Sequence, residues 1–75
     1  MTENQKAGRF IRKHRQKKNF SIEKLAEFCD LSDRSISDIE RGTREPKAGT
    51  LLAICRALDI NTGDIGEFYA NKDEE

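Results

Sequence analysis

The chain has 75 residues, of which 35% are hydrophobic and 37% are charged, and its formal net charge at neutral pH is zero. A chain of this length buries a single core, which excludes a multidomain protein and leaves little room for an enclosed catalytic cleft. No run approaches the roughly 18 apolar residues of a membrane span, and residues 1–5 lack the apolar centre of a signal peptide, so we expect a cytoplasmic protein without membrane association.

The first predicted element is a helix from about Gln5 to Lys18. Its apolar face follows the i, i+3, i+4, i+7 spacing and contains Ala7, Phe10, Ile11 and His14. Because there is no second histidine and no suitably placed cysteine, His14 is interpreted as a core residue rather than a metal ligand or a catalyst. Every other ionisable side chain from Lys6 to Lys18 is basic, which fits a solvated helix face and a phosphate-binding surface equally well.

A second, shorter helix is predicted after Asn19, which ends the first. Ser21 is placed to cap its first turn, and the segment stops at Asp30. The apolar residues recur at helical intervals and are Ile22, Leu25, Ala26 and Cys29. Leu31 then leads to another capping residue, Ser32, so that only about three residues separate this helix from the next.

The third predicted helix runs from Asp33 to Arg41 and has two contrasting faces. Ile36 and Ile39 point to one side. The other side, an arc of about 140° at roughly 100° per residue, is entirely polar and contains Asp33, Arg34, Ser37, Asp38 and Arg41. Gly42 supplies a left-handed stop, and Pro46 prevents the helix from continuing. Two helices joined by so short a turn favour a helix-turn-helix arrangement, although such turns also occur in plain helix bundles.

Two further helices complete the predicted fold, an all-α, compact bundle of five short helices. The fourth presents an apolar face of Leu51, Leu52, Ile54, Cys55 and Leu58. Asn61 is placed to cap a fifth helix through about Tyr69, which two glycines weaken. Cys29 and Cys55 fit no metal spacing and are predicted to be reduced core thiols. The charged residues 71–75 contain no apolar side chain and are predicted to form a disordered acidic tail after a domain of residues 1–70.

The stretch from Ser21 to Pro46 resembles the Cro and lambda-repressor family, which is also called the XRE family. The resemblance is carried by Leu25-Ala26-Glu27, Leu31-Ser32, Ser35-Ile36-Ser37, Ile39-Glu40-Arg41-Gly42 and Pro46. It extends upstream through Gly8-Arg9-Phe10-Ile11-Arg12 and downstream from Thr50 to Leu58, so that it covers about residues 5–69. The resemblance implies a lambda-repressor-like DNA-binding domain in which the helix of residues 33–41 lies in the major groove of double-stranded DNA.

The resemblance also implies roles for individual residues. Base edges would be contacted by Asp33, Arg34, Ser37 and Asp38, and phosphates by Ser21, Arg41, Thr43 and Arg44. Arg34 is the best candidate for specificity, because a guanidinium can bond O6 and N7 of guanine together; the alternative is a solvated side chain paired with Asp38 one turn on. Arg15 and Glu40 match positions that resemble a buried structural ion pair.

Three departures from the family pattern weaken this interpretation, and one of them is His14, which occupies a position where the family commonly has leucine. Ile22 stands where the family often has a glutamine that reaches a phosphate, so one anchoring bond is expected to be missing. Asp33 and Asp38 place carboxylates toward the negative potential of DNA, unless each accepts from cytosine N4 or is neutralised by a neighbouring arginine.

The expected function is a sequence-specific transcriptional regulator, a repressor, that binds a two-fold-related operator as a homodimer. The dimer contact is assigned to Ile65, Phe68 and Tyr69, which could instead close the core of the monomer. The alternative is a protein-interaction module on the same fold, such as an antitoxin, an antirepressor or a regulator subunit. No enzyme, cofactor, metal or small-molecule ligand is expected, because the sequence has no glycine-rich phosphate loop, nucleophile motif or cluster of metal ligands.

Overall fold

Five helices and their connections make up the computed structural model, which describes residues 1–66. They are α1 (Glu3–Lys17), α2 (Ile22–Cys29), α3 (Asp33–Arg41), α4 (Ala48–Leu58) and α5 (Thr62–Gly66). The prediction of an all-α fold of five short helices is therefore confirmed. The predictions that concern Phe68, Tyr69, the domain boundary at residue 70 and the tail of residues 71–75 lie outside the described residues.

Helix α1 begins two residues earlier than predicted because of a capping box. The Thr2 Oγ1 accepts the backbone N–H of Gln5 at 3.1 Å, and the Gln5 Oε1 accepts the backbone N–H of Thr2 at 2.9 Å. The helix ends at Lys17, one residue before the predicted end, and Asn19 adopts the left-handed conformation with φ 61°. Thr2 and Gln5 were the sequence signal for this start, and the predicted start at Gln5 overlooked it.

The two central helices have the predicted boundaries and caps. The hydroxyl oxygens of Ser21 and Ser32 accept the backbone N–H groups of Lys24 and Ser35 at 3.0 and 3.1 Å. Each helix then ends on a residue in the left-handed region, Asp30 for α2 and Gly42 for α3. Because glycine has no Cβ, it reaches this conformation at no steric cost, which explains its position after Arg41.

Helix α4 differs from its prediction in one residue of its apolar face. It begins at Ala48, and its N-cap residue Lys47 makes no side-chain capping bond. Ile54, Cys55 and Leu58 are buried, but Leu52 keeps 46% of its surface exposed, so its assignment to the apolar face was wrong. Leu52 follows Leu51 by about 100° around the helix, which turns its side chain away from the core.

The core receives one fully buried branched side chain from every helix. Ile11, Leu25, Ile36, Ile54 and Ile65 are each exposed by 1% or less. Burial of each contributes about 1.5 to 3 kcal/mol relative to an exposed position. Because Ile65 lies inside this core, its predicted role in a dimer contact is wrong, and of the two interpretations it closes the core of the monomer.

A close approach of backbones joins α1 to α3. A Cβ placed on Gly8 would lie 2.4 Å from the carbonyl oxygen of Glu40 and 2.5 Å from that of Ile39. Only glycine permits this separation, because both neighbours are backbone atoms that no side-chain rotation can move. The contact fixes α3 against α1 along its inner side.

The remaining sequence predictions for single residues are met in part. His14 is half-buried rather than buried, with its Nδ1 3.0 Å from the carbonyl oxygen of Phe10 and its ring centroid 4.3 Å from that of Phe10. Cys29 and Cys55 are both free, the first half-buried and the second buried. Across residues 1–66, no helix is long and apolar enough to cross a membrane.

Candidate nucleic-acid interface

Helices α2 and α3 and the turn of residues 30–32 between them form a helix-turn-helix. The turn is closed by the backbone N–H of Leu31, which donates to the carbonyl oxygen of Ala26 at 2.9 Å. Ile36 and Ile39 anchor the inner side of α3 in the core, and α2 packs across it. The opposite side of α3 therefore projects from the domain on a rigid support.

The outer face of α3, which consists of Asp33, Arg34, Ser37, Asp38 and Arg41, lines one open cleft together with Ile22 and Glu23 of α2. The side chains of Arg34 and Arg41 are 86% and 63% exposed, whereas that of Asp38 is 22% exposed. All four predicted base-contacting residues thus lie together, on an exposed helix face that can enter a DNA groove.

Asp38 is flanked by two arginines. Its Oδ1 accepts from the Arg41 Nη2 at 2.6 Å, and its Oδ2 lies 3.8 Å from the Arg34 Nε. The exposed Arg34 guanidinium is thus near Asp38 without a short bond to it. The outer face of α3 is balanced in charge rather than strongly basic, because Asp33 and Asp38 offset Arg34 and Arg41.

The predicted phosphate-contacting residues surround this face from two sides. Ser21 is exposed at the start of α2, beside the free N–H groups of its first turn. Beyond the end of α3, the Thr43 Oγ1 donates to the carbonyl oxygen of Asp38 at 3.1 Å, and the Arg44 Nη1 donates to the Ser35 Oγ at 2.9 Å. Arg44 therefore lines a different cavity from Arg41, between α3 and the start of α4.

Arg15 and Glu40 form a two-bond ion pair behind the outer face. The Arg15 Nε donates to Glu40 Oε2 at 2.6 Å and its Nη2 to Glu40 Oε1 at 3.1 Å. Their side chains are 10% and 6% exposed, and the remaining Nη1 donates to the carbonyl oxygen of Phe20 at 2.8 Å. One guanidinium therefore joins α1, α3 and the connection that leads into α2.

Glu23 is a cleft residue that the sequence interpretation missed. It is exposed in the first turn of α2, two residues after the cap Ser21, where a carboxylate is favoured by the helix dipole. Its position next to a predicted phosphate contact was the available signal. Ile22 beside it packs on the core, as the sequence led us to expect.

Comparison with known proteins places the chain in a family. The helix-turn-helix family matches residues 11–65, which include the second half of α1, all of α2, α3 and α4, and α5 up to Ile65. The chain is 46% identical over 52 residues to Control protein C.BamHI of Bacillus amyloliquefaciens, and 39% identical over 54 residues to an uncharacterized HTH-type transcriptional regulator of Mycobacterium tuberculosis. These matches cover 69% and 72% of this chain.

Solved structures agree with this placement. The clp gene regulator ClgR from Corynebacterium glutamicum superposes with a TM-score of 0.84 at 26% identity, over 96% of this chain and 77% of that one. A second crystal structure of ClgR gives a TM-score of 0.81 and covers 97% of this chain and 95% of that one.

The chain therefore belongs to the helix-turn-helix family of the Cro and lambda-repressor (XRE) type, as the resemblance implied. The family is made up of regulatory DNA-binding proteins. The matched part corresponds to 64% of the length of C.BamHI and 39% of the length of the mycobacterial regulator, so the relatives extend beyond what this chain shares with them.

Proposed function

We propose that this protein is a DNA-binding transcriptional regulator, not an enzyme, and that it inserts α3 into the major groove of double-stranded DNA in the cytoplasm. The observation that carries the proposal is the outer face of α3. Five polar side chains lie together on a helix that α2 and the Arg15–Glu40 pair hold in place. The regulator names of the mycobacterial relative and of ClgR support it.

Base readout is assigned to Asp33, Arg34, Ser37 and Asp38. Arg34 is the main specificity contact, because its exposed guanidinium can pair with guanine O6 and N7, an interaction that discriminates by about 1 to 3 kcal/mol. Asp38 can accept from cytosine N4 once Arg41 has released it.

Backbone positioning is assigned to Ser21, Arg41, Thr43 and Arg44. Ser21 and the first N–H groups of α2 offer a helix N-terminus to one phosphate. Arg41 has to exchange its bond with Asp38 for a phosphate oxygen, and Arg44 its bond with Ser35. These contacts set the register of the protein on DNA, since phosphates carry no sequence information.

The functional unit is proposed to be a homodimer that acts as a repressor on a two-fold-related operator. A single small module buries limited surface on DNA, and two half-sites about one helical turn apart double it. Because Ile65 is buried in its own protomer, the dimer contact falls to Phe68 and Tyr69 among the residues originally proposed.

The test is selection of bound sequences from a pool of random labelled duplexes, followed by anisotropy titration of the enriched site at two salt concentrations. We expect a palindromic site and an affinity that falls log-linearly with salt, because each displaced phosphate counterion contributes about 0.9 to the slope. Arg34→Ala should weaken the selected site by about 10- to 100-fold and relax the preference at one base pair.

A protein-interaction module is the second candidate, and the carboxylates of Glu23, Asp33 and Asp38 around the cleft favour it. The same experiment separates the two. If no sequence is enriched and binding stays weak at low salt, the carboxylates repel DNA and the outer face of α3 serves a protein partner.

A further inference from the structure

A second surface, lined by residues of α2, α4 and the connection before α2, exposes aromatic side chains. The aromatic patch consists of Phe20, Phe28, Ala53 and Ala57. Its rim consists of Lys18, Lys24 and Arg56. The Phe20 and Phe28 rings are stacked with centroids 5.5 Å apart and planes at 8°, yet 59% of Phe28 remains exposed. None of these residues lines the cleft beside α3. An exposed phenylalanine beside further apolar side chains is typical of an interaction surface.

The positive charges around the patch restrict which kind of partner segment can bind there. The Lys24 Nζ lies 5.9 Å from the Phe20 ring centroid and 5.8 Å from that of Phe28. The Lys18 Nζ lies 5.9 Å from the Phe20 centroid and also pairs with the Asp59 Oδ2 at 2.6 Å, and Arg56 is exposed at the edge. Two such patches facing each other would place like charges together, which is costly at an interface. The patch therefore fits an acidic segment with apolar side chains.

Residues 67–75 of this chain have that chemistry. They contain Phe68 and Tyr69, four carboxylate residues and one lysine, which leaves a net charge of −3. Phe68 and Tyr69 follow Gly66 by two and three residues, which reach about 7 to 10 Å at roughly 3.3 Å each, and the last residue of the segment reaches about 30 Å. Docking of both aromatic side chains therefore requires the patch of a neighbour within about 10 Å of Gly66.

We propose that residues 67–75 of one protomer dock on the aromatic patch of a second copy, and reciprocally. Phe68 and Tyr69 lie against Phe28, and the carboxylates of residues 73–75 lie beside Lys24 and Arg56. The inference rests on the proposed function in that it supplies the contact for the homodimer. It assigns the binding surface on the partner to the aromatic patch of α2 and α4. The outer face of α3 stays free for DNA.

Reciprocal charge exchange tests the proposal. One variant reverses the rim (Lys24→Glu with Arg56→Glu) and another reverses the segment (Asp73→Lys with Glu74→Lys); these side chains of the rim are exposed, so the fold is retained. Sedimentation velocity should show that each variant alone is monomeric, because its segment and its patch carry the same sign. An equimolar mixture should form a heterodimer, because both binding surfaces are then complementary.

The native fluorescence of the chain gives a second measurement. Tyr69 is the only tyrosine and the chain has no tryptophan, so its quenching by acrylamide reports on residue 69 alone. Phe28→Ser should weaken dimerisation by at least about ten-fold and expose Tyr69 to the quencher, as expected for the loss of an aromatic contact at the centre of an interface. Leu52→Ser is the matched control, because Leu52 is an exposed apolar residue outside the patch and should change neither value.

Three outcomes would overturn the proposal. The first is that the mixture forms no heterodimer, and the second is that Phe28→Ser dimerises as strongly as the native chain. The third is that the protection of Tyr69 from acrylamide does not depend on protein concentration, which would place the segment on its own protomer. None of them touches DNA recognition. If sequence selection still enriches an operator, the proposed function stands while this inference fails.

Discussion

Two carboxylates on one helix, Glu40 and Asp38, have nearly the same chemistry and opposite roles. Each accepts a hydrogen bond from an arginine at 2.6 Å. The Glu40 and Arg15 side chains are 6% and 10% exposed, whereas those of Asp38 and Arg41 are 22% and 63% exposed. The distance is the same in both pairs, and the difference between them is access to water.

That difference separates the structural side of α3 from its functional side. Water and salt screen the Asp38–Arg41 pair, so its members can exchange partners at little cost when a ligand arrives. The Glu40–Arg15 pair has no such alternative, because each group would be left charged and buried if the other were removed. Burial, not the length of the bond, decides which carboxylate maintains the fold and which is available to bind a ligand.

The largest effect on stability should follow from breaking the Arg15–Glu40 ion pair. Glu40→Ala should lower the free energy of unfolding by about 3 to 5 kcal/mol, because it leaves the Arg15 guanidinium buried without its carboxylate. Asp38→Ala should change it by about 0.5 kcal/mol or less. Urea unfolding followed by circular dichroism measures both, and equal losses in the two variants would contradict the distinction between the two faces.

The glycine contact on the same inner side should rank next. Gly8→Ala should destabilise the protein by about 1 to 3 kcal/mol, because its Cβ would overlap the carbonyl oxygens of Ile39 and Glu40. Gly49→Ala is the control: its Cβ would meet nothing within 4 Å, so the loss of backbone freedom in the unfolded chain should stabilise α4 by about 0.5 kcal/mol. Thermal unfolding of the two variants should shift in opposite directions.

The outer carboxylate should matter for DNA rather than for stability. Asp38→Asn frees Arg41 and Arg34, so affinity for random duplexes should rise several-fold and the salt slope should steepen by about 0.9 for one further phosphate contact. Glu27→Gln removes the same charge from an exposed site outside the cleft. If anisotropy titrations give both variants the same slope, net charge rather than the local pairing at Asp38 controls binding.

The smallest effect concerns the two thiols. Burial raises the pKa of the Cys29 thiol and that of the Cys55 thiol above the ordinary value for cysteine. A thiol whose pKa is higher in the folded than in the unfolded state contributes stability below the unfolded pKa, and that contribution is lost as the pH rises above it. Urea unfolding at neutral and alkaline pH should therefore show a steeper loss for the native chain than for a variant with both cysteines replaced by alanine.

Alkylation gives an independent check on the same residues. At neutral pH both thiols stay protonated, and iodoacetamide should modify half-buried Cys29 well before Cys55, which is 1% exposed. Peptide mapping by mass spectrometry distinguishes the two sites. Modification of Cys55 first would show that the inner side of α4 opens more readily than α2.

Local sequence signals predicted most of the fold. Serines at positions 21 and 32 and the glycine at 42 set the boundaries of α2 and α3, because capping bonds and a positive φ depend on neighbouring residues alone. The start of α1 was missed although its signal was equally local, in the reciprocal bonds of Thr2 and Gln5. The candidate interface was predicted in the same way, since the polar arc of α3 follows from the helical repeat.

Only the tertiary structure decided which of these side chains share a surface and which are shielded from water. Periodicity placed Leu52 on the apolar face of α4, and Ile65 was assigned to a dimer contact or to the monomer core; the packing of α4 exposes the first and the packing of α5 buries the second. The helical repeat puts Glu40 on the inner side with Ile36 and Asp38 on the outer arc, but the burial of Glu40 depends on Arg15 of α1. The sequence by itself determined the helices, their caps and the polar face of α3, because these depend on contacts within a few residues. Burial and electrostatic screening depend on residues distant in the chain, such as Gly8 and Arg15, and so required the assembled fold.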